Sequence, residues 1–257
     1  MENVFNGSMS SRSLEISREA GGRTARLPVW KRTLDLGVIL LFSPVLVLIC
    51  SAIVLLIKLG STGPVMFRQL RVGYKGREFL CYKFRSMRVD AETDSHRGHT
   101  TQLMKSETPM TKLDAEKDPR IIPFGSLLRS TGLDELPQLI NVLRGEMSLV
   151  GPRPCIPYEY QAYENWQRRR FDAVPGLTGL WQVSGKNRTT FNQMIHLDIK
   201  YSERASFWLD LKIILKTVPA LLIQCYDTWL AKSRSQAAST KKSESVSLEK
   251  NVRLIQL

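Results

Sequence analysis

The sequence predicts a mainly helical α+β protein: one apolar helix set in a membrane, with a body of helices and short strands beside it. Three observations predict this. Residues 36–57 carry no charge, over a length sufficient to cross roughly 30 Å of hydrocarbon. Residues 64–73 and 78–87 read as two short strands around the turn Gly73-Tyr-Lys-Gly76. Beyond residue 126, apolar residues recur at helical spacing, most clearly Leu136, Leu139, Ile140 and Leu143 at i, i+3, i+4 and i+7.

Residues 1–27 and 231–257 are polar, serine-rich and aperiodic, and both predict disordered tails. The apolar segment, placed at 28–60, does not fit a cleavable secretory signal, because its uncharged run starts late, is too long and lacks a small-residue cleavage site. Both of its flanks are basic, with Arg26, Lys31 and Arg32 before it and Lys58, Arg68, Arg71, Lys75 and Arg77 after it. Positive residues stay on the cytoplasmic side, so neither flank reads as exported. Ser43 and Pro44 interrupt the run. Proline removes one helical N–H, and a neighbouring serine can satisfy the freed carbonyl. Together these features predict a re-entrant helix hairpin kinked at Ser43 and Pro44, entering and leaving by one face. An ordinary tilted span with a proline kink is the competing reading.

The body is placed at 61–230. In its predicted second strand, Lys83 and Arg85 lie two residues apart and so on one face, where they could bind phosphate or simply face solvent. Residues 90–119 are polar and acidic and read as an insert or lid. Short helices are expected at 126–129 and 158–171, turns with a short strand at 174–183, and longer helices at 191–201 and 207–230. The last has a broad apolar side with Lys212 and Lys216 as snorkelling charges, and Pro219 breaks it too much for a span. The 37 Lys and Arg against 24 Asp and Glu leave a net charge of +13, which suits a polyanionic partner: nucleic acid, phosphates or anionic lipid. Cys50, Cys81, Cys155 and Cys225 are too scattered for a zinc site or disulfide framework, and the three histidines too sparse for a metal box.

The most informative stretch runs from Leu133-Asp-Glu-Leu-Pro-Gln138 through Gly145-Glu-Met-Ser-Leu-Val150 into Gly151-Pro-Arg-Pro154. Pro137 is tolerated near a helix start and Gly145 is a natural stop, so a helix is expected at 134–144 with Asp134 and Glu135 in its first turn. There the exposed N–H groups favour ionised carboxylate. On this helix alone, an Asp N-cap with a first-turn Glu explains the pair as well as catalysis does.

Seven motifs in order resemble the bacterial sugar transferases, monotopic polyprenyl-phosphate phosphoglycosyl transferases. They are Lys31-Arg-Thr-Leu-Asp35, Phe42-Ser-Pro44, Tyr82-Lys-Phe-Arg-Ser-Met87, Leu133 to Gln138, Gly145 to Pro154, Pro175-Gly-Leu-Thr-Gly179 and Asp210-Leu-Lys212, spread over about residues 30–225. The resemblance implies a re-entrant helix and a cytosolic catalytic domain of helices and short strands with interfacial amphipathic helices, at the cytoplasmic face of the cell inner membrane. It implies transfer of a sugar 1-phosphate from a UDP-sugar to undecaprenyl or another polyprenyl phosphate. Asp134 is implied as the nucleophile and Glu135 as its partner at a magnesium (Mg2+) site, as ligand or close support. Lys83, Arg129, Arg153 and the Gly185-Lys-Asn187 turn carrying Lys186 are implied phosphate or nucleotide contacts, with Arg85 grouped beside Lys83 and Asp210 as a further polar site residue. Galactose, glucose and an N-acetylated hexose all fit, and a homo-oligomer is left open.

Two other readings compete. One is a membrane transferase of a different phosphorylated group, against which the motif order argues. The other is a membrane-anchored basic module for anionic lipid or nucleic acid. That module explains the charge but gains nothing from a carboxylate pair ahead of the Gly151-Pro-Arg-Pro154 turn, so no nucleic-acid partner is expected.

Overall fold

The structure is a computed structural model describing residues 27–88, 102–104, 106, 108–110 and 120–226. The tails expected at the two ends and the bulk of the insert expected at 90–119 lie outside the described residues.

The apolar segment is one helix, α1, Val29–Gly60, of 32 residues and about 48 Å at 1.5 Å per residue. It runs on through Pro44 rather than dividing into two helices. The reason is local. Pro44 cannot donate to the Leu40 carbonyl one turn back, and the Ser43 hydroxyl donates to that carbonyl instead, at 2.8 Å. The two residues that interrupt the pattern in the sequence therefore compensate one another in the helix.

Strands β1, Met66–Val72, and β2, Glu78–Phe84, form the predicted antiparallel hairpin, pairing Met66 with Phe84 and Val72 with Glu78. Next come α2, Gly125–Thr131, and a tight 3-10 turn, Leu133–Gln138, which continues into α3, Leu139–Arg144. The helix expected at 134–144 thus starts as a 3-10 turn, and its first turn is not capped by Asp134: the preceding residue is Gly132, in the left-handed conformation at φ 74°. Strand β3, Ser148–Val150, pairs in parallel with β4, Gly176–Thr178. Between them, the helix expected at 158–171 divides into α4, Pro157–Ala162, and a 3-10 turn, Gln167–Asp172, because the chain is extended at Tyr163. Then follow α5, Leu180–Val183, and α6, Phe191–Arg204, whose start is closed by a reciprocal cap between Thr190 and Gln193. The last described helix, α7, covers residues 207–226.

Both ends of α1 are fastened to this body. At its start Lys31, 5 % exposed, forms an ion pair with Asp210 on α7 and donates to the Val150 carbonyl and the Tyr201 hydroxyl, each at 2.9 Å. Tyr201 in turn donates to Asp210 at 2.7 Å. Asp35 accepts from the Ser148 hydroxyl and the Leu149 N–H, each at 3.0 Å, and Arg32 donates to the carbonyls of Val142 and Leu143 at the end of α3. At the other end Ile53 and Ile57 are buried with Phe84, Ile122 and Leu128. Between these attachments Leu40, Leu41, Phe42, Val45, Val47 and Leu48 are 53 to 76 % exposed. The run is long and apolar enough to cross a membrane, by length and composition.

A buried ion pair that loses one partner leaves an uncompensated charge. Asp210→Ala is expected to destabilise the protein by about 3–5 kcal/mol, and the double replacement Lys31→Met with Asp210→Leu to recover most of that loss. Thermal unfolding of the detergent-solubilised variants checks this; additive losses in the double variant would contradict the coupling.

Candidate active site

Two short elements bring the carboxylates to the basic hairpin. Leu133 and Leu136 of the 3-10 turn pack against the cluster formed by Ile53, Ile57 and Phe84, so the turn is held by the far end of α1 and the end of β2. Pro137 lies inside this turn and has no N–H to donate there, so packing has to help hold it. On the other side, fully buried Asn141 of α3 stitches β2 in place: its amide nitrogen donates to the Leu80 carbonyl at 2.7 Å and its oxygen accepts from the Tyr82 N–H at 3.2 Å. The residue after Tyr82 is Lys83. Its ammonium donates to Glu135 Oε1 at 2.7 Å, and Arg153 Nη1 reaches the same oxygen at 3.1 Å.

The two neighbouring carboxylates experience opposite environments. Asp134 is 8 % exposed, and burial pushes its carboxyl above the usual range; the Lys83 charge opposes this, adjacent Glu135 adds to it, and Arg129 and Arg153 oppose it. Burial also works against ionised Glu135, but the charges of Arg153 and Lys83, the hydrogen bond from Lys83 and the charge of Lys186 together hold it well below the ordinary carboxylate value. Glu135 is therefore an ionic anchor for two cations. Asp134 has no hydrogen bond or ion pair to its carboxylate among the described residues.

Of the residues expected at the site, the structure gathers Asp134, Glu135, Lys83, Arg129, Arg153 and Lys186. Arg129 ends α2 and donates to Met87 Sδ at 3.3 Å, while its charge acts on Asp134. Lys186 stands in a turn with Gly185 at φ 118° and donates to Gln224 of α7 at 2.6 Å. Two expected residues do not join. Arg85 lies beyond the last residue of β2, and its guanidinium donates to the carbonyls of Ser61 and Thr62 where α1 ends. Strand alternation fails for it because the strand has stopped. Asp210 is fully buried in the ion pair with Lys31, so it anchors α1 and is not a solvent-facing site residue.

Reading the sequence missed Asn141, Gln224, Arg71 and Arg170. Arg71 and Arg170 were visible only as members of basic runs, and nothing in their spacing points to the site. No group of three or more His, Cys, Asp or Glu side chains that could hold a metal occurs among the described residues, and the four cysteines are free thiols. Four cations around two carboxylates leave the cluster with excess positive charge, suited to a phosphorylated ligand.

Comparison with known proteins agrees. The bacterial sugar transferase family matches residues 26–224. The galactosyl transferase CpsE of Streptococcus agalactiae serotype III is 47 % identical over 162 residues, covering 63 % of this chain and 35 % of CpsE. The exopolysaccharide production protein ExoY of Rhizobium meliloti is 37 % identical over 185 residues, covering 72 % of this chain and 80 % of ExoY. The UDP-glucose:undecaprenyl-phosphate glucose-1-phosphate transferase of Xanthomonas campestris pv. campestris is 42 % identical over 181 residues, covering 67 % of this chain and 34 % of that protein. The chain thus spans about a third of the first and third of these relatives and four fifths of the second. With the match running from just before α1 to near the end of α7 and taking in the whole carboxylate and cation cluster, the chain belongs to the bacterial sugar transferase family.

Proposed function

We propose that the protein transfers a sugar 1-phosphate from a UDP-sugar to a polyprenyl phosphate such as undecaprenyl phosphate, at the cytoplasmic face of the inner membrane, as the first membrane step of an exopolysaccharide or related glycan. The observation that carries this reading is the buried Asp134 carboxylate, which no described side chain engages, in the field of Lys83, Arg129 and Arg153. A carboxylate oxygen of Asp134 attacks the sugar-proximal phosphorus, the bond to the bridging oxygen breaks, and UMP leaves. An oxygen of the lipid phosphate then attacks the same phosphorus, the Asp134 ester breaks, and the lipid diphosphate sugar is released with the carboxylate restored. Two displacements spare the protein from holding both polyanions in line at once.

The surrounding side chains divide the work. Lys83, Arg129 and Arg153 neutralise the diphosphate and the charge that develops on leaving UMP. Lys186 adds a point charge rather than a planar fork. Burial disfavours the free Asp134 carboxylate and so keeps its electron pair reactive. Magnesium belongs to this reading: Glu135 would be its carboxylate ligand or close support, and the substrate phosphates and water would supply the remaining oxygens without a protein cage. When bound it would supply further neutralisation of the diphosphate.

The attachment of both ends of α1 to one body supports the re-entrant reading. A helix that crosses the membrane carries its two ends to opposite faces, whereas here Lys31 and Ile57 both contact the same 61–226 unit. The exposed residues from Leu40 to Leu48 then form the part immersed in lipid.

Asp134→Asn is expected to lower turnover by on the order of 10³-fold or more while leaving the fold intact; UMP release from a panel of UDP-sugars, with phosphosugar labelling of the protein, checks it, and near-normal turnover in a folded sample would sink the covalent route. The pH profile gives a second test. Attack requires ionised Asp134, so the rate falls as pH drops through its raised pKa, and the acid limb lies above the ordinary carboxylate range. Lys83→Met removes a charge that lowers that pKa and is expected to move the limb to higher pH; an unmoved limb would exclude Asp134 as the titrating group. Single cysteines placed before Lys31 and after Lys58 are both expected to react with an impermeant thiol reagent only from the cytoplasmic side, whereas labelling of the first from outside would establish a simple span.

A further inference from the structure

We infer that Arg71 and Arg170 are positioning residues for this reaction: their guanidinium groups clamp adjacent main-chain carbonyls of the Gly151-Pro-Arg-Pro154 turn and so aim Arg153 at the carboxylate pair. The inference rests on the proposed role of Arg153 in the site. The turn contains two prolines, which offer no N–H, so much of its restraint has to reach its carbonyl oxygens. Four successive carbonyls are taken. The Gly176 N–H donates to Pro152 O at 2.9 Å, Arg170 Nη2 to Arg153 O at 2.9 Å, Arg71 Nη1 to Pro154 O at 3.1 Å, and the Val72 N–H to Cys155 O at 2.8 Å.

The donors come from β1, from β4 and from the 3-10 turn at Gln167–Asp172, so three separate elements converge on one short segment. Each arginine is itself held. Arg170, 2 % exposed, donates to the Tyr163 hydroxyl at 2.8 Å and is paired with buried Asp198 of α6. Arg71 is gripped by Gln69 Oε1 through Nε at 3.1 Å and Nη2 at 2.6 Å. The start of the turn is equally confined: a Cβ on Gly151 would lie 2.2 Å from the Val174 carbonyl oxygen.

The test uses the full-length protein in detergent or nanodiscs, with UDP-glucose and UDP-galactose as donors, polyprenyl phosphate as acceptor and UMP release as the readout. Arg153→Met is expected to lower kcat/KM by on the order of 10²-fold, and Arg71→Met by on the order of 10-fold. Combining Arg71→Met with Arg153→Met is expected to add no further loss, because Arg71 acts only through Arg153. Arg71→Lys, able to reach one carbonyl, is expected to recover part of the activity. Arg170→Lys keeps the charge opposite Asp198, and it supplies the same comparison should Arg71 variants fail to fold. Losses that multiply in the double variant, or unchanged kinetics in Arg71→Met and Arg170→Lys while Arg153→Met is impaired, would overturn the clamp alone. Unchanged kinetics in Arg153→Met would overturn the reading of the site, and the clamp with it.

Discussion

A buried ion pair between Lys31 and Asp210, closed by Tyr201 and the Val150 carbonyl, fastens the apolar helix to everything else. The need for such a device follows from the helix itself. In a lipid setting, which the length and composition of the helix allow, apolar burial alone would not hold it to its neighbour. At the start of α1, charge and hydrogen bonding do that work, and the polar residues are buried deeply enough for each bond to count. At the far end, Ile53 and Ile57 enter an ordinary hydrophobic cluster. Two attachments of different physics hold one helix to one body.

These attachments also build the site. The Val150 carbonyl that accepts from Lys31 closes β3, and the next residue begins the turn carrying Arg153. The cluster around Ile57 includes Leu133 and Leu136, which flank Asp134 and Glu135. The seating of α1 and the site geometry are therefore parts of one packing arrangement, and a change in how α1 seats on the body would be felt at both carboxylates.

The carboxylates themselves illustrate how one dipeptide serves two purposes. Glu135 is ringed by Arg153 and Lys83 and stays ionised far into acid. Asp134, one residue away, is raised by burial and keeps its oxygens unengaged by the described side chains. Environments that push the pKa values of adjacent groups apart fit the proposed division of roles, with Glu135 organising cations and Asp134 reacting.

Local chemistry was legible in the sequence where it depends on neighbours along the chain. Charge-free length marked α1, the Gly73 to Gly76 turn marked the hairpin, and Ser43 beside Pro44 announced a helix that loses one backbone donor and supplies another. The 3.6-residue period placed α3 but not the 3-10 turn ahead of it, because periodicity reports which face is apolar and says little about how tightly the first turn winds. Strand alternation put Lys83 and Arg85 on one face, but the strand ends at Phe84: Lys83 reaches Glu135, while Arg85 turns to the carbonyls at the end of α1. Asn141, Arg71 and Asp210 owe their placement to bonds with Leu80, Pro154 and Lys31, which lie 61, 83 and 179 residues away, and Arg170 to a bond with Arg153, 17 residues away. Sequence by itself determined the apolar helix, the basic hairpin and the acidic pair, since each follows from residue type and spacing. Only tertiary structure decided which charges meet those carboxylates and which are buried as anchors, because pairing depends on distances between elements that chain order does not encode.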